Sequence, residues 1–300
     1  MTERDIVRAT RATARVALVT CAEFADLEAD DRLLLAPLAK RGIAAEPAVW
    51  DDPSVDWTAY DLAVLRSPWD YPARRDEFVA WAARVPRLAN PAHVVAWNTD
   101  KRYLADLDTA GVPVVPTTWL DPGVPWAPPS TGEIVLKPVV GAGSVDAGRY
   151  DCADPEHRRL AADHVARLHA AGRTVMLQPY LPAVDTYGET ALLFFRGVYS
   201  HAIRKGPMLD GPDLGVEGLY KAEEISAREP TPAERAVAER VLAAVPGGPE
   251  LLYARVDLIP GPDGAPVLVE VELTEPSLFL GYAPGAADRL AAAIAATLGR

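Results

Sequence analysis

Carboxylates are spaced along two stretches of this chain as a hard-cation site would need them. In VLVEVELTEP, residues 267–276, Val and Leu alternate with Glu270 and Glu272, and Glu275 follows. Residues i and i+2 of a strand point to the same side, so Glu270 and Glu272 stand together and repel each other. Upstream, YARVDLIP places Asp257 in an apolar strand, and the GPDG turn between the two stretches pairs them as a hairpin. Asp257, Glu270 and Glu272 then share one face. Magnesium takes oxygen ligands, commonly one or two carboxylates plus substrate phosphates. Alternation by itself favours the other reading, a half-exposed strand with solvated acids.

Cations lie elsewhere in the chain. Lys137 ends IVLKP, and VVGAGS follows with Gly141, Gly143 and Ser144. A glycine turn lets backbone N–H groups approach an anion, and a lysine on the preceding strand adds a point charge. An ordinary hairpin with a solvated lysine has the same pattern. It matches neither GxxxxGK[ST] nor GxGxxG. HAIRKGP brings His201, Arg204 and Lys205 to a strand end, either as a basic spot for a phosphate or carboxylate or as a solvated terminus. RSPWDY sets Arg66, Trp69, Asp70 and Tyr71 after another strand, where open α/β sheets bind ligands. A Trp/Tyr packing loop is the alternative there.

The elements that must position these groups follow from periodicity. RVALVT, IAAEPAVW and YDLAVLRS read as strands, with DRLLLAPLAKRG a helix closed by Gly42 and RRDEFVAWAARV a second helix. That alternation indicates a parallel sheet with crossover helices. Asn98 or Thr99 caps a helix running to about Ala110. VPVVPTTWL begins a new unit, and a Pro/Gly-rich loop leads to EIVLKP. HRRLAADHVARLHAAGR is helical, and TVMLQPYL is a strand. TALLFFRG and VYSHAIRK pair across Arg196-Gly197. A helix with Pro232 in its first turn precedes the acidic hairpin, and AADRLAAAIAATLGR is the last helix. The class is α/β, turning α+β in the C-terminal part. Units are expected at 1–97, 98–180 and 181–300.

Composition excludes several roles. The chain has 300 residues, 49% of them hydrophobic, and a formal net charge of −12. A phosphate-backbone binder needs a basic face, and no Lys/Arg cluster supplies one, so no nucleic acid partner is expected. No stretch approaches a membrane span, and the N-terminus lacks a secretory pattern, so the first dozen residues read as a tail or an added helical turn. Cys21 and Cys152 fit no disulfide framework, zinc spacing or nucleophile context and read as reduced thiols in the cytoplasm. The five histidines show no metal spacing, and no G-x-S-x-G elbow is present.

The order of these signals resembles the ATP-grasp ligases, most nearly the glutathione synthetases. LQPYLPAV resembles their Q-x-Y-L-P-A segment, and EVELTEP their terminal E-x-N-x-T-x-P. The likeness runs from about residue 95 to 280. RSPWDY, WNTDK, SHAIRK and ELTEPSLFL resemble a smaller subgroup, the O-ureido-serine cyclo-ligases that close the ring of D-cycloserine. The resemblance implies an ATP-grasp fold: an N-terminal Rossmann-like domain and two α+β subdomains sandwiching ATP. It implies Lys101 and Lys137 on the phosphates under the loop of Gly141, Gly143 and Ser144. Gln178, Tyr180 and Leu181 would meet adenine, and Glu189 the ribose. Asp257, Glu270 and Glu272 would carry two magnesium ions, with manganese able to substitute. Glu272 departs from the family's Asn, which puts the second ion's details in question. Arg204 or Lys205 would stabilise an acyl phosphate. The residues of RSPWDY named above, with His201 and Glu275, would face a small-molecule carboxylate. Dimers are common among similar enzymes, so a homodimer is an expectation. An intermolecular amino-acid or dipeptide ligase and a non-catalytic ATP-binding regulator stand as alternatives to ring closure.

Overall fold

The computed structural model describes residues 13–213, 219 and 224–299. The expected N-terminal tail or turn and part of the loop after Gly206 lie outside them. Near the N-terminus, β1 (Ala14–Thr20), α1 (Ala29–Arg32), α2 (Leu35–Lys40), β2 (Ile43–Val49), β3 (Leu62–Ser67), α3 (Arg75–Ala82), β4 (Leu88–Ala89) and α4 (Ala92–Asn98) follow in turn. The four strands form a parallel sheet in the order β2-β1-β3-β4. Pro47 is tolerated in β2 because that strand is an edge.

The next segment holds α5 (Tyr103–Thr109), β5 (Thr118–Leu120), β6 (Glu133–Pro138), β7 (Gly148–Asp151), α6 (Pro155–Ala170) and β8 (Val175–Pro179). Its antiparallel sheet has the order β5-β8-β6-β7. The last segment holds α7 (Ala183–Tyr187), β9 (Glu189–Phe195), β10 (Val198–Lys205), β11 (Ile225–Arg228), α8 (Pro232–Ala244), β12 (Tyr253–Pro260), β13 (Pro266–Glu272) and α9 (Ala286–Thr297). Its antiparallel sheet runs β11-β10-β9-β12-β13. Arg196 and Gly197, both with positive φ, make the two-residue turn between β9 and β10, which suits the twist of a hairpin.

Two expectations need correction. The helix expected over 31–42 is two short ones, α1 and α2. Pro37 sits in the first turn of α2, where its missing N–H is not needed, and not within one long helix. The helix expected from Asn98 is also divided: Asn98 ends α4, and α5 starts at Tyr103. The Asn98 side chain does not cap a helix. Its Nδ2 donates to Val271 O, and its Oδ1 accepts from Leu273 N, extending the hydrogen bonding of β13. Residues 112–117, where the next unit begins, carry Pro113 and Pro116 and join the last sheet by a single bridge from Val114 to Leu268.

The segments share cores. Val16, Leu18, Leu38 and Val64 of the first pack with Phe195 and Tyr253 of the last and with Leu290 and Ile294 of α9. Leu104 and Leu107 of α5 enter the core under β9, β12 and β13. Each such side chain removed from water contributes about 1.5–3 kcal/mol. The cavity walls therefore stand on elements that are far apart in sequence. Among the described residues, no helix is long and apolar enough to cross a membrane.

Candidate active site

The acidic hairpin is built by a bulge. Asp257 pairs with Glu270, but the next residue, Leu258, pairs with Leu268, so Val269 is the extra residue of β13. Arg255 opposes Glu272 two pairs further on, past Val256 and Val271. Arg255, Asp257, Glu270 and Glu272 thus share one face. Nη2 of Arg255 donates to Glu272 Oε1, and its Nε to Asp257 Oδ1 at 2.9 Å.

This face borders a cavity of about 360 Å³. Lys101, Lys137, Lys205, Arg255, Glu270, Glu272 and Glu275 line it, with Trp69, Tyr71 and the loop carrying Gly141, Gly143 and Ser144. Lys101 Nζ contacts Glu270 Oε1 at 2.8 Å and donates to Gly141 O at 2.8 Å, tying the loop to the strand. Lys205 Nζ donates to Asp257 Oδ2 at 2.6 Å and lies 2.9 Å from Glu189 Oε2. Lys137 makes no ion pair with a described residue, and burial together with Lys101 and Lys205 lowers its pKa. A half-buried ammonium next to a glycine turn and short of a counter-ion is suited to an incoming anion.

The carboxylates differ. Burial pushes Asp257 upward, but Arg255 and Lys205 outweigh it and hold the group at about 2. Glu270 is lowered by Lys101 and Lys137 against its burial. Burial, with Glu270 and Asp257 nearby, raises Glu272 to about 8 despite Arg255. Burial likewise raises Glu275 to about 7. The four acids cannot all be charged at neutral pH without added positive charge.

Other residues singled out from the sequence lie away from the wall. Asp257 is fully buried behind Lys205 and Arg255. Arg204 alternates with Lys205 on β10 and donates to Tyr187 O instead. Gln178 donates to Thr117 Oγ1, Tyr180 to Asp185, and Leu181 packs with Val115 and Ile259; none of the three lines the cavity. His201 Nε2 pairs with Leu278 O at 3.0 Å, bracing the turn that carries Phe279. Asp70 accepts from Trp50 Nε1 and Arg74, and faces a second cleft of about 830 Å³ on the other side of the glycine loop. That larger cleft lacks the Lys137 and Glu270 chemistry.

Arg66 is also inside the protein. It donates to Asp31 at 2.9 Å and to Pro276 O at 2.7 Å, while Trp69 Nε1 donates to Glu275 O at 3.0 Å. RSPWDY is thereby pinned to the TEP end of β13. Arg66→Ala leaves Asp31 as an uncompensated buried charge and is expected to cost about 3–5 kcal/mol in urea unfolding. A variant of parental stability with only a raised KM would instead place Arg66 on the substrate.

Two contributors escape the sequence reading: Arg255 and Asn98. Arg255 stands at i−2 from Asp257 in YARVDLIP, so period-two counting could have found it. Asn98 gave no local signal, since its partners are more than 170 residues away.

Residues 16–90 match the family described as the N-terminal domain of D-cycloserine synthetase DcsG. The chain is 43% identical to the cycloserine biosynthesis protein DcsG of Streptomyces lavendulae, covering 94% of this chain and 98% of that one. The crystal structure of D-cycloserine synthetase DcsG superposes with a TM-score of 0.84 at 41% identity, over 95% of this chain and all of the other (100%). A D-alanine–D-alanine ligase from Bacillus anthracis complexed with ATP gives 0.67 at 16% identity, covering 97% and 98%. An ATP-grasp RimK domain protein from Sphaerobacter thermophilus gives 0.66 at 20%, covering 93% and 98%. The last two share the fold.

Proposed function

This chain belongs to the family of D-cycloserine synthetase DcsG, and from that membership we propose that it closes the ring of D-cycloserine from O-ureido-D-serine. It is an ATP-dependent carbon–nitrogen ligase of the ATP-grasp fold that acts on a small molecule and uses a divalent metal. The observation that carries the assignment of roles is Lys137, which has no ion pair among the described residues and shares its cavity with Glu270, Glu272 and the glycine loop.

A carboxylate is a poor electrophile. Transfer of the γ-phosphoryl group of ATP to the substrate carboxylate gives an acyl phosphate and ADP. The ureido nitrogen that is bound to oxygen then attacks the carbonyl carbon and gives up its proton, phosphate leaves with the electrons of the broken C–O bond, and hydrolysis of the carbamoyl group to carbon dioxide and ammonia frees the ring nitrogen. Phosphoryl transfer needs positioning and charge neutralisation more than covalent help. Lys101 and Lys137 neutralise the phosphates, and the backbone of the glycine loop cradles them. Lys205, not Arg204, faces the acyl phosphate together with Arg255. Trp69, Tyr71 and Glu275 form the substrate side, while Arg66 and His201 position that side from behind.

The donors present are carboxylate oxygens, which fit magnesium or manganese. Glu270, Glu272 and Asp257 would hold two such ions, the Asp257 oxygens being engaged by Arg255 and Lys205 in this structure. Bound there, the metal neutralises charge on the phosphate oxygens. A cytoplasmic homodimer belongs to the same reading, as does a functional division at 97/98 and 180/181.

The test is ADP release from Mg-ATP against O-ureido-D-serine, free amino acids and dipeptides, followed by mass spectrometry. ADP with O-ureido-D-serine alone, and D-cycloserine as product, is the expected result. A dipeptide product would replace ring closure by intermolecular ligation.

A further inference from the structure

Two covering segments from different sheets meet on one side chain. The glycine loop, residues 141–147, leads from β6 to β7, and residues 206–213 leave the end of β10. Gly141, Ser144 and Val145 of the first and Met208 of the second line the catalytic cavity. Arg167, on α6, donates through Nη1 to Asp146 Oδ1 at 2.8 Å and through Nη2 to Asp213 Oδ2. Asp146 also accepts from Arg173, whose other Nη donates to Val140 O at the start of the loop. The Asp213 side chain is only 2% exposed, so its charge depends on such a partner.

The backbone is fitted to the same contact. Arg149 N donates to Gly211 O at 2.8 Å, and Asp213 N to Tyr150 Oη at 3.2 Å. A Cβ at residue 148 would lie 2.6 Å from Asp213 N, so glycine is what permits this approach. Tyr150 Oη in turn pairs with His164 Nδ1 at 2.8 Å. Residues 206–213, which belong to the chain of the last sheet, are thus docked on the central one next to the glycine loop.

From this geometry we infer that Arg167 is a positioning residue that latches the two segments together, so that 141–147 and 206–213 loosen and tighten as one unit. A guanidinium presents donors in a fixed fork, so one Arg can hold a carboxylate of each segment where a lysine would hold one. The consequence for turnover rests on the ligase reading above. An acyl phosphate survives only while water is kept out, and a latch that couples both covers shuts the cavity in one step.

Hydrogen exchange of the full-length, ligand-free protein tests the latch without reference to activity. Arg167→Ala changes a side chain that is 47% exposed, and the fold is expected to persist. In this variant the amides of both segments should exchange roughly tenfold faster or more, the loss expected for hydrogen bonds to a charged group. Asp146→Asn keeps a residue type that tolerates the left-handed backbone there, and should speed exchange in 206–213 as well. Gly148→Ala should loosen 141–147 from the other side. Faster exchange in only one of the two segments, in Arg167→Ala or in Asp146→Asn, would overturn the latch. With Mg-ATP and O-ureido-D-serine, Arg167→Ala should release several-fold more ADP per ring closed than the parent, and Arg167→Lys an intermediate amount. An unchanged ratio with lowered melting temperature alone would make Arg167 merely structural. A parent that releases no ADP with any acid defeats the ligase reading and leaves the exchange result standing.

Discussion

Replacing Lys137 by alanine should stop ADP release while leaving the protein at least as stable as the parent. The two halves of that result have separate causes. Lys137 is a half-buried ammonium with no ion-paired carboxylate among the described residues, and partial burial lowers its pKa. Removing an unpaired, partly desolvated charge removes a desolvation cost, so the melting temperature should hold or rise slightly. The same charge, set beside the glycine loop, is needed when phosphate charge moves during transfer. Loss of one preorganised donor of this kind typically costs about 10²–10³ in turnover. Lys205→Ala makes the contrast. Lys205 is paired with Asp257 and Glu189, so its removal leaves Asp257 on Arg255 alone and Glu189 without that partner, and should cost about 1–3 kcal/mol of stability as well as activity. Steady-state ADP release and thermal melts on both variants separate the cases. Turnover within a few-fold of the parent in Lys137→Ala would take the lysine out of the phosphate site.

The parts of the site that could be read in advance are those set by short-range rules. Glu270 and Glu272 share a face because the strand period is two, and Gly141, Gly143 and Ser144 follow a strand-borne lysine within a few residues. The hairpin turns at 196–197 and 261–264 are written in their own residues. What escaped is long-range. The bulge at Val269 sets Asp257 against Glu270, and nothing in either strand announces it. Without that register, Arg255 opposite Glu272 goes unnoticed. Arg66, Asp70 and His201 looked like substrate groups because polar residues after strands often are. Here Arg66 satisfies Asp31 and a carbonyl, Asp70 satisfies Trp50 and Arg74, and His201 braces the 278 carbonyl. Polarity placed near a site does not say which way a side chain faces. Arg204 and Lys205 make the same point on adjacent positions of one strand.

Glu272→Gln should make the ligand-free protein more stable at alkaline pH and leave it unchanged near pH 5. In the folded protein, burial and the neighbouring acids raise Glu272 to about 8, against 4.5 ordinarily. Between those values the folded chain holds a proton that the unfolded chain has lost. Stability therefore falls as pH rises through that interval, and the full penalty is present above about pH 8. Glutamine imitates the protonated acid and carries no such penalty. Each tenfold change in proton affinity between the folded and unfolded chain is worth about 1.4 kcal/mol. The Glu272 side chain is 23% exposed and partly screened, so a difference of order 2 kcal/mol at pH 8 to 9 is the expectation. Glu275, raised to about 7, adds a slope of the same sign to both proteins, smaller in the variant because Glu272 and Glu275 repel each other when both are charged. Asp257, held at about 2, contributes stability that is constant above about pH 4 and lost only in acid. The cation links this strain to function. A metal on Glu270 and Glu272 takes the place of the missing positive charge and favours the ionised form. Stabilisation of the parent by Mg-ATP should therefore grow between about pH 6 and pH 8, and grow less in Glu272→Gln. Equal melting temperatures of the two proteins across the whole range would show that Glu272 is ionised without strain, with Arg255 sufficient for it. The acidic shelf would then need no cation to hold it in place.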